Sequence, residues 1–144
     1  MDVASAIQTA IVFVWLGMVL GISFLEAPLK FRAPGITVPL GVGIGRLVFR
    51  ALNRVEIVFA LALLVAAAVK PEPWSTPITV WLVVALSAVL VLGAGVLRPL
   101  MDRRVTRGAV GEGKPRSRMH LWYVLLECIK VALLIWLGIA LLAA

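Results

Sequence analysis

Four apolar runs, each long enough to cross a hydrocarbon layer, alternate along this chain with segments where charge, proline and glycine concentrate. Residues 4–25 are interrupted only by Ser5, Gln8, Thr9 and Ser23. A helix of about 22 residues at 1.5 Å each covers a bilayer core of roughly 30 Å. Glu26, Pro28, Lys30, Arg32, Pro34 and Gly35 are expected to end it, because proline removes a backbone donor and the charges prefer headgroups and water. The second run is strongest after Val55 and carries Glu56. Its first half holds three glycines, Gly41, Gly43 and Gly45, and three arginines, so residues 40–69 read as an interfacial or tilted lead-in, 40–53, feeding a spanning second half. Residues 77–97 contain no charge and form the third helix. Arg98 to Arg118 reads as a connecting loop with room for a helical start, and residues 120–142 form the fourth helix. The pattern predicts an all-α fold, an integral membrane four-helix bundle in one domain, with no internal repeat.

Composition changes this picture little. Of 144 residues 62% are hydrophobic and the mean hydropathy is +1.09, more apolar surface than a soluble domain of this size can hide. The first run is too long for a cleavable signal and is expected to remain as an anchor. A net charge of +7 raises the question of nucleic acid, but the basic residues form blocks beside apolar runs without interleaved aromatics, so no nucleic-acid partner is expected. Those blocks set orientation instead. Lys30 to Arg54 holds five Lys and Arg and Arg98 to Arg118 holds seven, whereas both termini and the turn at Lys70 hold one between them. Both termini are therefore expected on the extracytoplasmic side of the cell (inner) membrane, with Trp74 and Trp122 at the interfaces. A single cysteine, Cys128, and a single histidine, His120, complete neither a disulfide nor a protein-only zinc site, and no metal or cofactor is expected.

The candidate chemistry lies on two helices. At 100° per residue His120, Tyr123, Glu127 and Lys130 fall within about 80° on the fourth helix, a polar stripe running towards mid-membrane. An isolated ammonium at the depth of Lys130 costs at least ~2.5 kcal/mol, and Glu127 is the nearest partner. On the second helix Arg46, Arg50 and Asn53 share a face within about 60°, flanked by Arg54 and Glu56, and Glu26 sits one turn from Lys30. Together they predict a polar chamber open to the cytoplasm and sealed by apolar residues beyond. One reading is structural, with Glu26, Glu56 and Glu127 pairing with the arginines and Lys130 to lock packing. The other is functional: a surplus of cations binding an anionic group or a lipid headgroup, in a transporter-like bundle or an accessory subunit. A membrane enzyme acting on lipid or quinone headgroups, with Glu127 or His120 as general acid and base, is the alternative. Four helices make a slender body, so burying Glu127 and Lys130 fully is expected to require a second copy or a larger complex, and membrane lipids are the other expected partners. Gly17 and Gly21 read as a close-packing pair.

The order Trp15-Leu-Gly, Phe24-Leu-Glu-Ala-Pro-Leu-Lys-Phe-Arg32, Gly45-Arg-Leu-Val-Phe-Arg-Ala-Leu-Asn-Arg54, Leu97-Arg-Pro-Leu-Met-Asp-Arg-Arg104 and Arg118-Met-His-Leu-Trp-Tyr123 resembles the plan of the transmembrane protein 205-like family. The resemblance implies four helices, a Phe/Pro-rich end to the first, an Arg-Pro end to the third and an Arg/His start to the fourth. It carries over no catalytic residue. The Glu127-Cys128-Ile-Lys130 segment is not part of that plan.

Overall fold

The computed structural model describes residues 2–69, 76–108 and 118–144, and every regular element among them is helical. Four helices are long and apolar enough to cross a membrane: α1 Val3–Arg32, α2 Val38–Val69, α3 Pro77–Thr106 and α4 Arg118–Ala143. Lys70, Trp74 and most of the Arg/Gly-rich connection before α4 lie outside the described residues.

Each start has a local cause. The Asp2 carboxylate accepts from Ser5 N–H at 2.8 Å and caps α1. The Thr37 hydroxyl accepts from Leu40 N–H ahead of α2, and Pro77, whose missing donor costs nothing in a first turn, begins α3. Gly108, at φ +69, ends α3 in the left-handed conformation that glycine adopts most cheaply.

Two helices run past the points where their prolines were expected to stop them. In α1 the segment Leu20–Glu26 widens to a π-helix, and Ala27 N–H reaches back five residues to the Ile22 carbonyl. In α3 the segment Val91–Leu97 does the same, with Arg98 N–H bonded to the Gly93 carbonyl. Pro28 and Pro99 follow directly. A proline in an α-helix clashes with the carbonyl four residues back, and one wide turn relieves that clash without breaking the helix. Hence α1 continues to Arg32 and α3 to Thr106, and Arg98–Thr106 is the helical start for which the connecting segment left room. The second helix is long as well. Residues 38–69 form one continuous helix of 32 residues, about 48 Å long, whose buried stripe runs unbroken from Gly41 through Phe49 and Glu56 to Leu63.

The helices close a ring in chain order, α1 against α2, α2 against α3, α3 against α4 and α4 against α1. One half of the bundle is filled by apolar side chains, among them Val12, Trp15, Leu63, Leu86, Leu134 and Leu137. A smaller cluster of Phe49, Leu52 and Tyr123 lies in the other half. Trp81, Trp122 and Trp136 are exposed on the outside, where only lipid suits them.

Close helix contact does not use the expected pair, since a Cβ built on Gly17 or Gly21 meets nothing within 4 Å. It occurs at Gly138, where a Cβ would lie 2.8 Å from the Phe13 ring, and at Gly41, which packs on the Phe31 ring. Gly138→Val is accordingly expected to destabilise the bundle by ~1–3 kcal/mol, read as a lower thermal midpoint in detergent, while Gly17→Val leaves it unchanged. Equal midpoints for the two variants would contradict the packing described.

Candidate functional site

The polar face of α4 meets α1, α2 and the end of α3 around a cavity of about 390 Å³. The π-turns place its walls: by carrying both helices past their prolines they bring Lys30 and Phe31 of α1, and Arg98 and Asp102 of α3, level with Arg46 of α2 and His120 of α4. Ser23, Tyr123 and Glu127 also line it.

The Arg98 guanidinium is held between two aromatic faces, 4.2 Å from the ring centroids of both Phe49 and Tyr123. Those rings meet edge to face at 5.8 Å and 85°. Among the described residues Arg98 makes no ion pair, and its buried Nε has no hydrogen-bond partner. The neighbouring cations Arg46, Arg50 and Lys30 are engaged. Arg46 Nε donates to Asp102 Oδ1 at 3.1 Å, Arg50 Nη2 lies 3.8 Å from Asp102 Oδ2, and Lys30 Nζ donates to Glu26 Oε2 at 3.3 Å.

Behind the cavity floor lies a buried charge cluster. Lys130 Nζ donates to Glu127 Oε1 at 2.7 Å and to Glu56 Oε1 at 2.8 Å. Trp15 Nε1 donates to the same Glu56 oxygen at 2.9 Å, and Ser23 Oγ donates to Glu127 Oε2 at 2.7 Å. Lys130 is 2% exposed, Glu127 3% and Glu56 0%, so one chain suffices to bury all three, and the burial argument for a second copy lapses. Of the three charged groups, Glu127 is the one that also lines the cavity, beside its donor Ser23.

The ten residues expected at the site divide accordingly. Arg46, His120, Tyr123 and Glu127 line the cavity, with Glu56 and Lys130 beneath it. Glu26 pairs with Lys30 at its edge. Asn53 is buried outside the lining, and Arg54 is exposed. The arginines of α2 drift away because four residues advance 400°, a net 40° per step. The side chains of Arg46 and Arg50 are 30% and 53% exposed. Nor do the glutamates pair with these arginines, whose carboxylate is Asp102. Arg98, Asp102, Lys30, Ser23 and Trp15 are the members not anticipated. A tryptophan in the middle of an apolar run, away from both interfaces, was the one available signal for Trp15.

No three His, Cys, Asp or Glu side chains among the described residues are grouped to hold a metal ion. Comparison with protein-family models, curated proteins and solved structures finds no match to this chain.

Proposed function

We propose that this is a multi-pass membrane protein whose chamber opens to the cytoplasm and binds an anionic group, in the manner of a small transporter. The observation that carries this reading is Arg98, a guanidinium clamped by two rings at the wall of a cavity and, among the described residues, without a carboxylate of its own. Fixing a cation before its ligand arrives lowers the ordering cost of binding, and a planar guanidinium suits phosphate, sulfate and carboxylate oxygens. The order of features that resembles the transmembrane protein 205-like family supports four spans and says nothing of the ligand.

Binding of sulfate, and separately of a short-chain anionic lipid, to the purified protein in neutral detergent tests the proposal. Arg98→Gln is expected to weaken the preferred anion about tenfold or more while the fold, read by circular dichroism, persists. Unchanged affinity in that variant rejects the chamber as the site. Preference for sulfate over the lipid, or the reverse, separates a soluble anion from a headgroup.

The inward-facing chamber follows from the basic blocks at its end of the bundle. In a Cys128→Ala background, Thr76→Cys is expected to react with an impermeant maleimide on intact cells, and Thr106→Cys only after permeabilisation. The opposite pattern inverts the topology.

A further inference from the structure

The two halves of the bundle repeat one another at a spacing of 71 residues. Pro28 and Pro99 are 71 apart, as are Glu56 and Glu127. The π-helical segments Leu20–Glu26 and Val91–Leu97 coincide at that spacing end to end, and so do their backbone bonds, Ala27 to Ile22 and Arg98 to Gly93. The buried faces coincide as well, with Val12 on Val83, Trp15 on Leu86 and Val19 on Leu90. Short connections make successive helices antiparallel, and the ring α1-α2-α3-α4 places α1 opposite α3 and α2 opposite α4. Two hairpins, α1–α2 and α3–α4, thus stand around a pseudo-two-fold axis along the bundle. Sequence identity at this spacing is confined to a few positions, so the repeat is visible only in the buried register and the backbone.

The equivalent carboxylates of Glu56 and Glu127 face each other across that axis and share one ammonium, at 2.8 and 2.7 Å. Symmetry breaks there, because the position equivalent to Lys130 is Phe59. Two carboxylates and one ammonium leave the site one negative charge in excess, inside a body that lipid surrounds. The hydrogen bonds are uneven: Glu56 Oε1 accepts from Trp15 and Lys130, whereas its buried Oε2 has no partner among the described residues. The groups facing the cluster are Trp15 and Ser23 of α1, Glu56 of α2, and Tyr123, Glu127 and Lys130 of α4. Residues 77–97 of α3 carry no charge, and Arg98 lies beyond them over Tyr123 at the chamber wall. Repeat interfaces near mid-membrane, beside interrupted helices, are where transporters place coupling ions.

We propose that the Glu56, Lys130 and Glu127 cluster is a proton-binding site loaded from the chamber at Glu127, and that anion and proton bind together. The proton passes from a chamber hydronium to the Glu127 carboxylate, leaving water and a neutral carboxyl, while Lys130 and Glu56 remain a balanced pair. An anion beside Glu127 repels its carboxylate form, so anion binding draws in a proton and, by linkage, proton binding tightens the anion. The coupling rests on the anion chamber proposed above; the proton site stands on the cluster alone.

Infrared difference spectroscopy of the full chain in detergent, titrated between about pH 4 and 9, reads the carboxyl directly. One protonated-carboxyl band is expected to appear on acidification, to vanish in Glu127→Gln and to survive in Glu26→Gln. Glu56→Gln is expected to remove it too, since Glu127 and Lys130 then balance, and it serves should Glu127→Gln fail to fold. A band indifferent to both variants, or no band, overturns the proton site whatever binds in the chamber. Sulfate, which does not itself titrate near neutrality, is then added in weak buffer with a pH-sensitive dye, and uptake of up to about one proton per bound anion is expected. Sulfate binding without uptake overturns the coupling and leaves the chamber standing. A Glu127-dependent band with binding of neither sulfate nor the anionic lipid overturns the anion chamber and the coupling while supporting the proton site.

Discussion

Lys130→Met is expected to be the most damaging single substitution in this chain, lowering stability by ~3–5 kcal/mol and the thermal midpoint by on the order of 10 °C or more. The expectation follows from the charge count. Lys130 is the one cation within ion-pair distance of Glu56 and Glu127, among the described residues, and both carboxylates are buried. Removing it leaves two buried carboxylates facing each other without a counter-ion among the described residues, and an orphaned buried charge costs far more than the intact pair contributes. The converse change is milder. Glu56→Gln leaves Glu127 and Lys130 as a neutral pair, with an amide still able to meet Trp15 and the ammonium. The triple variant Glu56→Gln, Lys130→Met, Glu127→Gln removes every charge at nearly constant volume and is expected within ~1 kcal/mol of the native protein. The order of midpoints is therefore native and triple variant highest, Glu56→Gln between, Lys130→Met lowest. A Lys130→Met protein as stable as the native one is incompatible with ionised carboxylates at these positions.

The charge cluster also marks where sequence reasoning succeeded and where it stopped. Hydropathy alone located four spans, because a helix that must sit in lipid leaves its outer face no choice of residue type. Helical periodicity placed His120, Tyr123, Glu127 and Lys130 on one stripe, and three of them line the chamber with Lys130 directly beneath. Periodicity within one helix says nothing of which residue on another helix meets it. The arginines of α2 were near enough in sequence logic to serve as partners for the glutamates, yet they turn progressively outward from Arg46 to Arg54, and Asp102 takes Arg46 and Arg50 instead. Asp102 itself was hidden because Pro99 read as a stop. The local rule for proline is sound, but a wide turn placed before it satisfies the same sterics by other means, and no residue type announces a π-turn. Arg98 was lost for the same reason: read as the first residue of a loop, it is the residue whose N–H closes that turn and whose side chain crosses to Phe49. The 71-residue repeat escaped notice because lipid-facing and core positions accept many apolar residues, so matching environments left few matching letters.

Trp15→Ala is the second change expected to exceed the ordinary range, at ~3–5 kcal/mol. Trp15 is fully buried, its ring lies tilted at 6.1 Å from that of Phe59, and its Nε1–H is one of two donors to the Glu56 carboxylate. In lipid little is gained by moving an apolar side chain from outside to inside, so the loss comes from packing and from the polar contact. Truncation opens a void where no water can enter favourably and deprives Glu56 of a neutral donor that tempers its charge. Trp15→Phe separates the two contributions, keeping most of the ring volume and deleting the N–H, and is expected to cost ~1–2 kcal/mol. The double variant with Glu56→Leu, which unlike glutamine leaves Trp15 no acceptor, then decides whether the hydrogen bond contributes in its own right. If it does, the two substitutions together cost less than the sum of the singles by more than ~0.5 kcal/mol, because the second removes a contact already broken by the first. Strict additivity would assign the whole loss to the ring, and Trp15 would then be a packing residue that only lies beside the charged pair.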